Sequence, residues 1–226
     1  MTTEIWDPIL VTLRLATYTT AVLLVLGLPL AWWLARTRSR WKVVVEAVTA
    51  LPLVLPPTVL GFYLLLFLGA QGSLGQAWQA LFGHPLAFSF AGLVVASCVY
   101  SLPFVVQPLQ AAFEALPRHA LEAAWTLGAS RWRAFWRIAL PASRRGLLTA
   151  TVLGFAHTLG EFGVVLMVGG NLPGETRVLS IAIFEHVEAL EYDLAHRLSL
   201  GLLVVSFLVL AVVYGANRRW PVGEAR

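Results

Sequence analysis

Residues 9–35 read ILVTLRLATYTTAVLLVLGLPLAWWLA, an apolar run interrupted by one charged side chain, Arg14. Wound as an α-helix at about 1.5 Å per residue, such a run is longer than the roughly 30 Å of a bilayer's hydrocarbon core. Four further stretches of the same character follow at about 44–69, 89–112, 147–169 and 198–216. They predict an all-α, polytopic membrane protein with about five transmembrane helices, a single membrane domain over 1–226. The composition agrees. The chain is 58% hydrophobic and 12% charged, about half the charged fraction of a soluble domain. That leaves too little polar surface to meet water on every side, so membrane lipid must cover much of it.

The connections differ in charge, and charge sets orientation. Segment 36–43 is a short basic turn with Arg36, Arg38, Arg40 and Lys42. Segment 70–88 is rich in Gly and Gln and carries Trp78 and Phe82, which suits the membrane interface. Segment 113–146 is a long basic loop, and 170–197 reads as a turn followed by an acidic amphipathic helix. Thirteen of the sixteen Lys and Arg residues fall in 36–43, 113–146 and the tail beyond 216. The positive-inside rule puts those three segments in the cytoplasm. The N-terminus is then outside and the C-terminus cytoplasmic, as an odd number of spans requires. Glu185, Glu188, Glu191 and Asp193 fall outside. The start of the chain does not read as a cleaved signal peptide, which opens on a basic region, because Glu4 and Asp7 precede Arg14.

The loop 113–146 carries the most information. Pro117 can open a helix at its first position, and Gly128 can close it in a left-handed cap. Ser130 can cap a second short helix, which Pro141 helps to end. The spacing predicts two short helices lying at the membrane surface. Trp132, Phe135 and Trp136 would anchor them in the headgroup belt, with Arg131, Arg133 and Arg137 facing phosphates.

Within this loop, Glu122-Ala123-Ala124, three residues, Gly128, nine residues and Ile138-Ala139-Leu140-Pro141 resemble the EAA loop of binding-protein-dependent, type I ABC importer permeases. The resemblance implies an ABC importer type-1 transmembrane domain over 9–217, in which 113–146 is a coupling loop that docks in a groove of a cytoplasmic ATPase. The residues suit that role. Ala123 and Ala124 would let a partner approach closely, Glu122 offers a carboxylate to a basic or amide group, and Gly128 sets the turn. An ATP site of the P-loop kind needs Gly-x4-Gly-Lys-Ser/Thr, and the only lysine, Lys42, follows Trp41. ATP and Mg are therefore expected in a separate subunit, and no cofactor in this one.

Three more segments are similar to the molybdate branch of that family, with sulfate and tungstate permeases as close relatives. They are LPLVLPPTVLG at 51–61, LGEFG at 159–163 and NLPGETR at 171–177. The LGEFG segment resembles a feature of oxyanion permeases generally, and the PGETR turn favours molybdate. The resemblance implies a subunit forming the translocation pathway for molybdate in a bacterial cytoplasmic (inner) membrane. It also implies a homodimer, two cytoplasmic ABC ATPase subunits, and a periplasmic or lipid-anchored molybdate-binding protein. Sulfate, thiosulfate or tungstate is the alternative cargo. A self-contained secondary transporter or channel is the alternative class, opposed by the loop and by the lack of a paired inverted repeat.

Pathway candidates follow from what a membrane interior tolerates. Pro52, Pro56 and Pro57 break or kink the second span, freeing carbonyls that neighbouring helices or cavity water must meet. Glu161 is the only acidic residue deep in a predicted span, and an intramembrane carboxylate is a functional candidate by default. Its charge would repel a dianion, so it is expected to shape the pathway wall or a gate rather than hold cargo. His157, four residues earlier, shares its helix face. A His157–Glu161 pair and a bond from Glu161 to an adjacent helix both remain open. Gly160 and Gly163 flank the carboxylate and permit close helix packing.

On the outer side, Pro173-Gly174 suits the centre of a type II turn. Pro173, Gly174, Glu175 and Arg177 form either a plain turn or a contact for a periplasmic partner. Arg14, Arg177 and Arg197 either steer an oxyanion, meet a binding protein or anchor at the interface. The single cysteine, Cys98, reads as a buried thiol. His84, His119, His186 and His196 do not cluster as metal ligands, and no nucleophile–base set stands out. The basic residues lie between apolar runs rather than on one face, which speaks against nucleic acid.

Overall fold

The computed structural model describes residues 2–219. The end of the basic tail, with Arg226, lies outside the described residues. Helix α1 (Thr2–Arg36) is followed by α2 (Trp41–Val54) and α3 (Pro57–Leu68), then by the short α4 (Ser73–Phe82) and the long α5 (Phe90–Glu114). The basic loop folds into α6 (Arg118–Thr126), α7 (Arg131–Ala134), a π-helical turn (Phe135–Ala139) and α8 (Leu140–Ala142). After it come α9 (Arg144–Leu159), α10 (Gly163–Gly169), α11 (Leu179–Glu188) and α12 (Tyr192–Arg219). No strand occurs among the described residues.

Helices α1, α5 and α12 are long and apolar enough to cross a membrane unbroken. The second and fourth expected spans are not single rods. Helices α2 and α3 meet at 115°, and α9 and α10 at 62°, so the described chain has up to five spans if each bent pair is one. The first break is made by proline. Leu55 is extended, with ψ 136°, as a residue before proline is driven to be. Pro57 then starts α3 where its missing N–H breaks no helical bond.

Pro141 does not end the second loop helix, contrary to expectation. The Leu140 N–H reaches back five residues to the Phe135 carbonyl. This wider turn sits just before a ring that cannot donate a hydrogen bond, and the chain continues through α8 into α9.

Helix packing relies on small residues, as it must where lipid removes the solvent-driven collapse. A Cβ added to Gly146 of α9 would stand 2.2 Å from Ala112 Cβ of α5, and one on Gly154 would stand 2.6 Å from Val105 Cγ2. The basic loop is built onto the bundle rather than hung from it. Leu121 and Phe135 share one core with Leu23 and Leu34 of α1 and with Leu109 and Phe113 of α5. Helix α11 has no side-chain cap from its own Val178. Thr12 of α1 supplies one, its Oγ1 accepting from the Leu179 N–H at 2.7 Å. The outer faces of α3 and α12, with Tyr63, Leu203 and Phe207, remain exposed and apolar, as a lipid-facing surface requires.

The α5–α9 seam predicts a measurable asymmetry. Gly146→Ala should lower stability by about 1–3 kcal/mol through overpacking, read as a lower thermal midpoint in detergent. Gly201→Ala, with nothing within 4 Å of the added Cβ, should leave that midpoint unchanged.

Candidate functional site

The break between α9 and α10 brings the intramembrane residues together. The Gly160 and Glu161 N–H groups close the end of α9 onto the His157 and Thr158 carbonyls, at 3.1 and 3.4 Å. The Glu161 carbonyl, freed by the break, accepts from the Ser180 hydroxyl of α11. Its carboxylate is buried and turned to α5. Ser97 Oγ donates to Oε2 and Ser101 Oγ to Oε1, each at 2.5 Å. Ser101 also lies 2.9 Å from His157 Nδ1 and 3.1 Å from Thr158 Oγ1. His157 Nδ1 stands 3.5 Å from Glu161 Oε1. Both arrangements left open by the sequence are therefore present, the i,i+4 pair and the bond to a neighbouring helix. Ser97 and Ser101 were missed in the sequence. Their spacing of four in an apolar span, facing one side of α5, was the signal that could have found them.

Beside this network is a cleft of about 580 Å³, lined among others by Pro57, Thr58, Tyr100, His157, Gly160, Glu161 and Gly163. Five of the six sequence-derived pathway candidates thus share one wall. Pro56 does not line it and instead caps α3. The two flanking glycines part company. A Cβ on Gly163 would meet Pro57 Cβ at 2.9 Å, so here the two bent pairs touch. A Cβ on Gly160 would find nothing nearer than the His157 carbonyl at 3.8 Å, so Gly160 mediates no close packing. The His157 ring stacks on Phe104 at 3.8 Å between centroids and lies 4.7 Å from Tyr100.

The loop motif is displayed at the far end of α6. Gly128 has φ +83°, and a full Schellman closure follows. The Gly128 N–H donates to the Trp125 carbonyl at 3.0 Å, and the Ala129 N–H to the Ala124 carbonyl at 2.9 Å. Ser130 Oγ caps α7 by accepting from the Arg133 N–H at 3.2 Å. Glu122 and Ala123 are exposed, but Ala124 is buried in the chain's own core, so it cannot admit a partner as expected. The helix turns Ala124 and Leu121 inward together because they lie three apart. Leu127, 88% exposed, joins the outward face, which the sequence motif did not indicate. Ile138 and Leu140 are half-buried and Pro141 is exposed. Trp132 and Trp136 are exposed as interfacial anchors should be, whereas Phe135 is buried against Trp32.

The turn after α10 is closed from within. Gly174 has φ +74°, and the Glu175 N–H donates to the Leu172 carbonyl at 3.2 Å, as a type II turn requires. Buried Thr176 donates to the Gly169 carbonyl at 2.6 Å. Arg177 is held by Asn171 at 2.8 Å and Glu185 at 3.5 Å. Arg14 lines a separate cavity of about 860 Å³ with Gly174 and Glu175, and Arg197 lines another with Trp6. The three outer arginines therefore do not converge on one site. Cys98 is partly buried, with Sγ 3.9 Å from the Thr19 carbonyl.

The carboxylate network makes a stability prediction. Glu161→Ala leaves the buried Ser97 hydroxyl without its acceptor, while Ser101 keeps His157 and Thr158 within reach, and should cost about 1–3 kcal/mol, whereas Glu161→Gln, which keeps an acceptor oxygen, should cost less. Adding Ser97→Ala to Glu161→Ala should then cost little more, since contacting residues are not additive. Thermal midpoints of the purified single and double variants measure both effects.

Comparison with known proteins bears on the same regions. The family described as binding-protein-dependent transport system inner membrane component matches residues 27–219. The chain is 59% identical over 207 residues to the molybdenum transport system permease protein ModB of Azotobacter vinelandii, covering 92% of each. It is 38% identical over 183 residues to the protein of that name in Escherichia coli (strain K12), covering 81% of this chain and 80% of that one. A probable sulfate transport system permease protein of Zygnema circumcarinatum is 35% identical over 212 residues, with 92% and 73% covered. Among solved structures, a bacterial ABC transporter involved in import of the acidic polysaccharide alginate matches with a TM-score of 0.77 at 19% identity, covering 96% of this chain and 79% of that one. The inward-facing MetNI methionine ABC transporter matches with a TM-score of 0.72 at 17% identity, covering 95% of each. At such identities the structures bear on fold alone. The family match and the sequence identities go further, and the chain belongs to the binding-protein-dependent transport system inner membrane components, multi-pass permeases that are not themselves enzymes.

Proposed function

We propose that this chain is the permease subunit of an ATP-driven importer and forms the pathway for molybdate across the bacterial inner membrane. The observation that carries the cargo is the 59% identity to a molybdenum permease across 92% of both chains. The cleft beside Glu161 supplies a pathway wall inside the apolar bundle, and a second copy of the chain would complete it as a homodimer. Two cytoplasmic ABC ATPase subunits would dock on the exposed face of α6, where Glu122, Ala123 and Leu127 surround the left-handed Gly128. ATP and Mg belong to those subunits. A periplasmic or lipid-anchored molybdate-binding protein would deliver cargo on the opposite side, where the 173–175 turn lies. A related alginate transporter has been solved in complex with its alginate pentasaccharide-bound periplasmic protein. The charge distribution supports an N-terminus outside and a C-terminus in the cytoplasm. The 35% identity to a sulfate permease keeps sulfate, thiosulfate or tungstate as the second reading.

Uptake of labelled molybdate in a strain lacking this chain, restored by its gene and competed with sulfate and tungstate, tests the cargo. Restored uptake that excess sulfate does not suppress is expected, and suppression by sulfate with restored sulfate uptake would move the cargo to the second reading. In the same strain, Glu122→Arg and Gly128→Pro should leave the chain in the membrane while abolishing most uptake and most ATPase stimulation. Normal transport by both variants would remove α6 from the coupling step.

A further inference from the structure

We propose that His157 is the side chain that meets the oxyanion in the cleft, donating through the Nε2–H of its imidazolium. The proposal rests on the import reading above and begins with the protons of the Glu161 network. An ionised carboxylate only accepts, and each hydroxyl has one proton to give. Ser97 and Ser101 both give theirs to Glu161, and Thr158 gives its own to the Gly154 carbonyl at 3.0 Å. Ser101 Oγ, 2.9 Å from His157 Nδ1, is then the acceptor of that contact, and Nδ1 carries a proton. The contacts to Ser101 and to Glu161 both use Nδ1, which leaves Nε2 on the opposite edge of the ring. A neutral ring so held offers a lone pair at Nε2. A protonated one offers an N–H and a positive charge.

Among the described residues lining the cleft, His157 is the one side chain able to carry a positive charge. The side chain of Glu161, which also lines the cleft, has no exposed surface, whereas that of His157 is 19% exposed. Stacking on Phe104 and contact with Tyr100, both on α5, hold its plane. The titratable groups facing it are Glu161 and Tyr100. Helices α3 and α10 bring Thr58, Leu166 and Met167, and no Lys or Arg lines the cleft among the described residues. A dianion entering an apolar region needs a counter-charge and hydrogen-bond donors. Glu161 fits this role without repelling cargo. Its oxygens accept from Ser97 and Ser101 of α5. An acidic residue beside an anion route is then the support of a cationic one.

The test uses the complete importer in proteoliposomes, with His157→Ala, His157→Asn and His157→Lys. Asn can keep a polar contact to Ser101 but has no Nε2, and Lys keeps an N–H donor and a positive charge. Both Ala and Asn should lower molybdate uptake about 10- to 100-fold, the range for a lost hydrogen bond to a charged group. The amount of assembled importer in the proteoliposomes normalises uptake, so a variant that fails to assemble is recognised as such. His157→Lys, which keeps an N–H donor and a positive charge, should retain more uptake than His157→Ala or His157→Asn. Uptake by His157→Asn at the wild-type rate, or by His157→Lys no better than by His157→Ala, would overturn the proposal. A wild-type importer that moves sulfate but not molybdate would overturn the cargo reading alone, and the same variants would then be read with sulfate.

Discussion

A helix interrupted inside hydrocarbon exposes backbone groups that water cannot reach, and the centre of this structure is organised by how the interruption at Gly160–Phe162 is met. The Glu161 carbonyl takes a hydroxyl from Ser180 of α11, and its carboxylate takes two from Ser97 and Ser101 of α5. Helix α11 is in turn pinned to α1 by Thr12. One break therefore ties four elements together. The α2–α3 break is solved by different chemistry. Pro56 and Pro57 carry no N–H, so the corner creates fewer groups to satisfy.

The two interruptions lie against each other where Gly163 admits Pro57. The cleft is a consequence of that contact, since α10 and α3 both turn away from the directions of the helices before them. Its wall is set by two bend angles rather than by one rigid helix. Changes between states of packed proteins concentrate at such discrete breaks, which puts the residues of the cleft and the joints of the bundle in the same place.

The end of the bundle that carries the basic loop follows a different logic. Trp32 of α1 meets Phe113 of α5 and Phe135 of the loop edge-on, each at 5.2 Å between centroids. Arg36 lies over the same indole at 5.1 Å and donates to the Phe113 carbonyl at 2.9 Å. Leu121 and Ala124 of α6 enter this core, so the exposed face of α6 stands on the helices that run through the membrane. A close-packed aromatic core transmits displacement instead of absorbing it. A partner pressing on the outward side of α6 would thereby act on α1 and α5 directly.

The amino-acid sequence by itself determined the spans, the loop helices with the left-handed Gly128 and the Ser130 cap, and the singular position of Glu161 in an apolar segment. These are local properties: run length, caps, turn chemistry and the isolation of one charge in an apolar segment. Only the tertiary structure decided that two spans are bent, that Ala124 faces inward, that Pro141 sits after a π turn instead of ending a helix, and that Gly160 packs against nothing. It alone supplied the partners of Glu161 on α5, Ser97 and Ser101, which lie 64 and 60 residues away. In a water-soluble helix the polar face marks which side is buried. Here lipid-facing and core-facing positions are both apolar, so the rotation of each helix is set by close packing of small residues and by a few hydroxyls, and that rotation leaves little trace in the hydropathy of the chain.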